Sequence, residues 1–149
     1  MKASAYLQLP EKLKNHKYIL NIQNEDEKCA QWCIIAHLFP KYRNNRTTRI
    51  GNINAYRHHE KDINTTGIQF PLKIQDVSKL EELNNLSINI FSIDDKVNII
   101  PIRISERRNV NEQRNIDLLY IVNEMSSHYC LITDLSRLCR SQATSHHSS

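Results

Sequence analysis

Glycine is scarce in this chain: two residues in 149, with three phenylalanines and one tryptophan. Disorder is nevertheless not the default reading, because 40% of the residues are apolar and 24% charged, proportions normal for a globular protein. Long apolar runs are missing as well. No stretch approaches the roughly 18 residues that a membrane span needs, and the opening MKASAYLQLPEKLK has no apolar core of the signal-peptide kind. A cytoplasmic or nuclear protein with no membrane partner is expected. A block of one charge sign is also lacking: the formal charge is +4 and the pI about 8.9, but Lys and Arg are scattered.

The four cysteines, 29, 33, 130 and 139, do not read as a disulfide framework in a reducing compartment. Cys29 and Cys33 are spaced C-x3-C, and Cys130 and Cys139 lack the tight second knuckle of a structural zinc site. No metal or cofactor is therefore expected.

The length suits one core, placed at 18–142, with an N-terminal extension at 1–17 and a polar, disordered tail at 143–149. Tyr18 to Gln23 (YILNIQ) alternates as a short strand does. NEDEK then precedes an apolar run, as acidic residues do at the positive end of a helix dipole. From Cys29, the apolar positions Trp32, Cys33, Ile35, Ala36 and Phe39 predict a buried helix that Pro40 ends. A second, mostly exposed helix is expected over Arg46 to Asp62, and a short amphipathic one over Asp76 to Leu83 with Asp76 as its cap.

The remainder is β-rich. LSINIFSI and VNIIPIRI read as one hairpin, IDLLYIV and HYCLIT as a second. RRNVNEQRN reads as a solvated loop, and Asp134 as the cap of a terminal turn or helix. The class is α+β, an N-terminal helix packed on an antiparallel sheet.

A thiol in the first turn of a helix is where backbone N–H groups lower its pKa, and Cys29 holds that position. Its imidazole partner must come from elsewhere in the chain. His16, His146 and His147 lie in polar termini, and His58 and His59 on an exposed helix. His37 is eight residues along the same helix, about 12 Å away. His128 opens the apolar strand HYCLI and pairs best with Cys29. For the oxyanion of acyl transfer, the Cys29 N–H and the Asn24 side-chain amide are candidates, with Gln23 in reserve. Each residue also fits a plainer role: Cys29 a core thiol, His128 a satisfied turn histidine, Asn24 a turn or cap residue. Cys33, Cys130 and Cys139 are read as structural.

Asn24, Cys29, Trp32 and His128-Tyr129 together resemble the papain-like cysteine protease pattern, and the short chain is similar to the compact viral tegument-like deubiquitinases. From about Tyr18 to Gln142, the runs KCAQWCIIAHLFP, TGIQFPLKIQDVSKLEELNNLSINIFSI, IDLLYIV and SHYCLITDLSRL also resemble the domain preceding DNA polymerase in insect Maverick-type mobile elements. The first likeness implies a papain-like fold and a deubiquitinase acting on ubiquitin or a ubiquitin-like modifier. Cys29 would be its nucleophile, His128 its base and Asn24 its oxyanion donor. No Asp or Asn stands about fifteen residues after His128, and Ser126 occupies the Asp position of an Asp-x-His motif, so Asp134 is the remaining candidate for a third residue. The second likeness leaves a different reading open, a non-catalytic domain of a mobile-element polyprotein that binds nucleic acid or protein through Arg43, Arg46, Arg49 and Arg57.

Overall fold

The computed structural model describes residues 9–14, 16–22, 24, 26–43 and 53–147. Two hairpins and a two-residue strand build one five-stranded sheet in the order β1-β5-β4-β2-β3. The strands are β1 (Ile19–Leu20), β2 (Ser87–Ile93), β3 (Ile99–Arg103), β4 (Asn115–Val122) and β5 (Ser127–Ile132). The helices are α1 (Cys29–Leu38), α2 (Asn54–Arg57), α3 (Val77–Asn84) and α4 (Leu135–His147). The architecture is α+β, as the order of periodicities implies.

Strand alternation sorts the core into two layers. On β4, Ile116 and Leu118 join Tyr129 and Leu131 of β5 beneath α1, whose residues from Cys29 to Ala36 are all buried. The intervening Leu119, Ile121, Cys130 and Ile132 face the other way and pack with Leu138 of α4. Both sheet faces are thus covered, which is why β4 and β5 read as nearly continuous apolar runs.

The expected antiparallel sheet is corrected to a mixed one. The β2/β3, β4/β5 and β1/β5 pairs are antiparallel. β2 and β4 run parallel, with Ser87 opposite Asn115 and Phe91 opposite Leu119. A parallel neighbour needs a crossover connection. The segment RRNVNEQRN supplies part of it, held by Asn109 Nδ2 to Ser87 Oγ at 3.1 Å and by the Arg114 guanidinium on the Asn84 and Asn85 carbonyls.

Other boundaries shift too. Of the helix expected over Arg46 to Asp62, the part within the described residues holds α2 and a 3-10 turn at Glu60–Asp62; 44–52 lies outside the described residues. Asp76 precedes α3 but makes no side-chain capping bond. The expected tail at 143–149 is helical through His147, so α4 is longer than the sequence implied. Cys139, expected to pack, is exposed on that helix.

Candidate functional site

The short strand β1 covers only the far end of β5, pairing Ile19 with Ile132 and Leu20 with Leu131. Toward His128 the edge of β5 is met instead by the N-terminus of α1. There the Tyr129 backbone N–H donates to Cys29 Sγ at 3.4 Å. The thiol therefore rests against the peptide that joins His128 to Tyr129. That contact is made by the backbone of the residue after His128, and it seats Cys29, 99 positions away from His128 in the chain, beside this stretch of β5.

His128 is fully buried, and its Nε2 lies 2.7 Å from Asn21 Oδ1. An amide oxygen only accepts, so Nε2 carries the hydrogen and Nδ1 is the basic nitrogen of the neutral ring. Asn21 follows β1 directly, which fixes its distance from β5. By alternation His128 belongs with Cys130 and Ile132, while Tyr129 faces α1. Thiol and imidazole thus stand on either side of the β5 edge rather than across one sheet face.

Burial depresses the His128 pKa to about 4. The folded value lies below the unfolded one, so the stabilisation is complete above about pH 6.5 and is lost as the pH falls toward 4. The depression corresponds to about 3 kcal/mol. Urea midpoints measured between pH 4 and 7 should fall steeply on acidification, and His128→Gln should flatten that dependence relative to wild type. Parallel pH profiles for the two proteins would remove His128 as the source.

The segment ahead of α1 is organised by Asp26. Its carboxylate accepts from the Lys28 N–H at 3.0 Å, from Trp32 Nε1 at 3.0 Å and from Asn24 Nδ2 at 2.9 Å. Burial alone would raise this carboxyl, but those donors hold it below its ordinary pKa. The same contacts correct the expectation for Asn24. Its Nδ2 also donates to the Asp26 carbonyl at 2.8 Å, so both amide hydrogens serve the turn, and Asn24 is not presented as an oxyanion donor. Gln23 lies outside the described residues. The Cys29 N–H belongs to the first turn of α1, whose N–H groups have no acceptor within the helix.

Asp134 is likewise corrected. Its Oδ1 accepts from Arg137 N at 3.0 Å at the start of α4, beyond the far end of β5 from His128, so it serves as a cap. Asn21, missed in the sequence, is the residue that holds the imidazole. Its one cue was position: it ends the strand-like run that pairs with the histidine's own strand.

The other two buried thiols, Cys33 and Cys130, are chemically quiet. Burial raises the pKa of Cys33, which donates to the Tyr129 carbonyl at 3.5 Å, and also that of Cys130. Among the described residues no group of three or more His, Cys, Asp and Glu side chains is placed to hold a metal ion. No helix among them is long and apolar enough to cross a membrane. Of the four arginines considered for phosphate binding, Arg57 lies over the Trp32 ring at 5.8 Å and Arg43 is half-buried. Arg46 and Arg49 are outside the described residues. Comparison of the chain with family models, curated proteins and solved structures finds no match.

Proposed function

We propose that this chain is a papain-like cysteine isopeptidase cleaving after the C-terminal glycine of ubiquitin or a ubiquitin-like modifier. The observation that carries the thiol chemistry is the placement of Cys29, at the first residue of α1 and against the His128-Tyr129 peptide, with Asn21 fixing the imidazole. The choice of modifier rests on the likeness of Asn24, Cys29, Trp32 and His128-Tyr129 to the tegument-like deubiquitinases.

In the proposed reaction the site opens so that His128 Nδ1 and Cys29 meet at the β5 edge, and Nδ1 takes the thiol proton as Sγ attacks the glycine carbonyl. The C–N bond then breaks, and the imidazolium returns the proton to the departing lysine amine. Water attacks the thioester in the second half-reaction, giving its proton to the same nitrogen and releasing Cys29. The Cys29 N–H and its first-turn neighbours are the donors for the oxyanion. Because Nε2–H stays on Asn21, the ring is held in the tautomer that this sequence requires.

Cys29 is 1% exposed, so acylation requires local opening of the site. A ubiquitin probe with a C-terminal electrophile should label the wild type slowly, faster in urea below the unfolding transition, and leave Cys29→Ala unlabelled. Labelling that survives in Cys29→Ala, or that vanishes only in Cys33→Ala, would overturn the assignment.

A further inference from the structure

On the sheet face away from α1, a recess of about 230 Å³ opens between the turn at 11–14, the β2–β3 turn and α4. We infer that this recess binds a phosphate group. Lys12 and Lys96 approach it from two different elements. Neither lysine takes part in an ion pair among the described residues, and no acidic residue lines the recess.

The walls are fixed in advance. The Tyr18 N–H donates to His16 Nδ1 at 3.2 Å, so His16 Nε2 carries the hydrogen and donates to Ser141 Oγ at 3.2 Å. Ser141 in turn donates to the Leu138 carbonyl at 2.7 Å. Gln142 clamps the opposite lip: its Oε1 accepts from Ile99 N at 3.1 Å and its Nε2 donates to the Val97 carbonyl at 2.6 Å. The second Nε2 hydrogen is a further donor at the rim.

The turn that presents Lys96 carries a backbone outlier. Val97 has φ 64°, a left-handed conformation that a β-branched residue rarely adopts. The Val97 N–H to Asp94 carbonyl bond at 2.9 Å and the Gln142 clamp hold it there. Asp94, an exposed carboxylate of the same turn, accepts from Asn98 N at 2.8 Å and Lys96 N at 2.9 Å, and the Lys96 charge helps those donors to lower its pKa. Strain of this kind concentrates at functional sites, and here it sets where the lysine leaves the backbone.

Two ammonium point charges, neither within ion-pair distance of a carboxylate among the described residues, suit a phosphate dianion. The volume is below the roughly 300 Å³ of ordinary small-molecule pockets, and Leu13 and Val97 give it an apolar floor. A phosphate borne by a small organic compound fits best; a phosphate of a single-stranded polynucleotide is the other source of the same chemistry.

The test is titration of the full chain with inorganic phosphate, a nucleoside monophosphate and a short oligothymidylate, at constant ionic strength, read by calorimetry and Tm. Phosphate and the nucleotide should bind saturably, and the Lys12→Gln/Lys96→Gln variant should bind at least tenfold more weakly. Tighter binding of the oligothymidylate than of the nucleotide would assign the phosphate to a polymer backbone. Its log-log salt slope should then shrink by about 1.4 in the double variant. Unchanged affinity in that variant, or an equal Tm shift with chloride, would overturn the proposal. Both lysines are exposed, so their replacement leaves the core intact.

Discussion

Cys29→Ala will lower kcat/KM on a ubiquitin C-terminal amide by at least about a thousandfold, His128→Ala will do the same, and the double variant will be no worse than either. Nucleophile and base act as one unit, so their losses do not add. Steady-state assays of the three variants test this, with circular dichroism confirming that each is folded. Cys29→Ser is the companion, since it nearly preserves the volume of a side chain that is 1% exposed. Asn21→Ala should cost less, and in kcat more than in KM, because Asn21 touches the imidazole and not the substrate. Losses that multiply in the double variant would mean that Cys29 and His128 act independently. Full activity in both single variants would return Cys29 to the role of core thiol.

The helix that begins at Cys29 was legible because its apolar positions repeat at three and four residues and Pro40 stops it. Both hairpins were legible from alternation. Their mutual arrangement was not: alternation says which face a residue takes, never which strand lies beside it. The parallel β2/β4 pair depends on a polar connection whose bonds are made by Asn109 and Arg114. Asn21 escaped notice for a similar reason, since its bond to His128 spans 107 positions. Asn24 misled in the opposite sense. It stands at the right distance from Cys29 in the chain, but Asp26, two residues on, takes its donors. At the C-terminus, SQATSHH is small and polar, a composition that favours caps and tails, yet it extends α4.

A last expected result concerns Glu81, which in the sequence is one of two adjacent glutamates on a short amphipathic helix. Glu81→Ala should destabilise the protein by about 3–5 kcal/mol, the cost of breaking a buried ion pair on one side, whereas Glu82→Ala should stay within about 0.5 kcal/mol. Glu81 is 3% exposed. Its carboxylate accepts from Arg103 Nη2 at 2.9 Å, Arg103 Nη1 at 3.1 Å and Ile88 N at 2.8 Å. Arg103 Nη1 also donates to the Ile88 carbonyl at 2.6 Å, so one ion pair ties α3 to β2 and to the edge strand β3. Burial by itself would raise the Glu81 pKa, but the Arg103 and Ile88 donors hold it below the ordinary value. A depressed carboxyl contributes stability that is present above its unfolded pKa and is lost as the pH falls through the folded one. Urea unfolding at neutral pH and again near pH 3 reads both effects: the gap between wild type and Glu81→Ala should narrow in acid. Adding Arg103→Met to Glu81→Ala should recover part of the loss, because the stranded guanidinium is removed with its partner. If the double variant is less stable than Glu81→Ala alone, Arg103 stabilises the edge strand by its bond to Ile88 and not through the carboxylate.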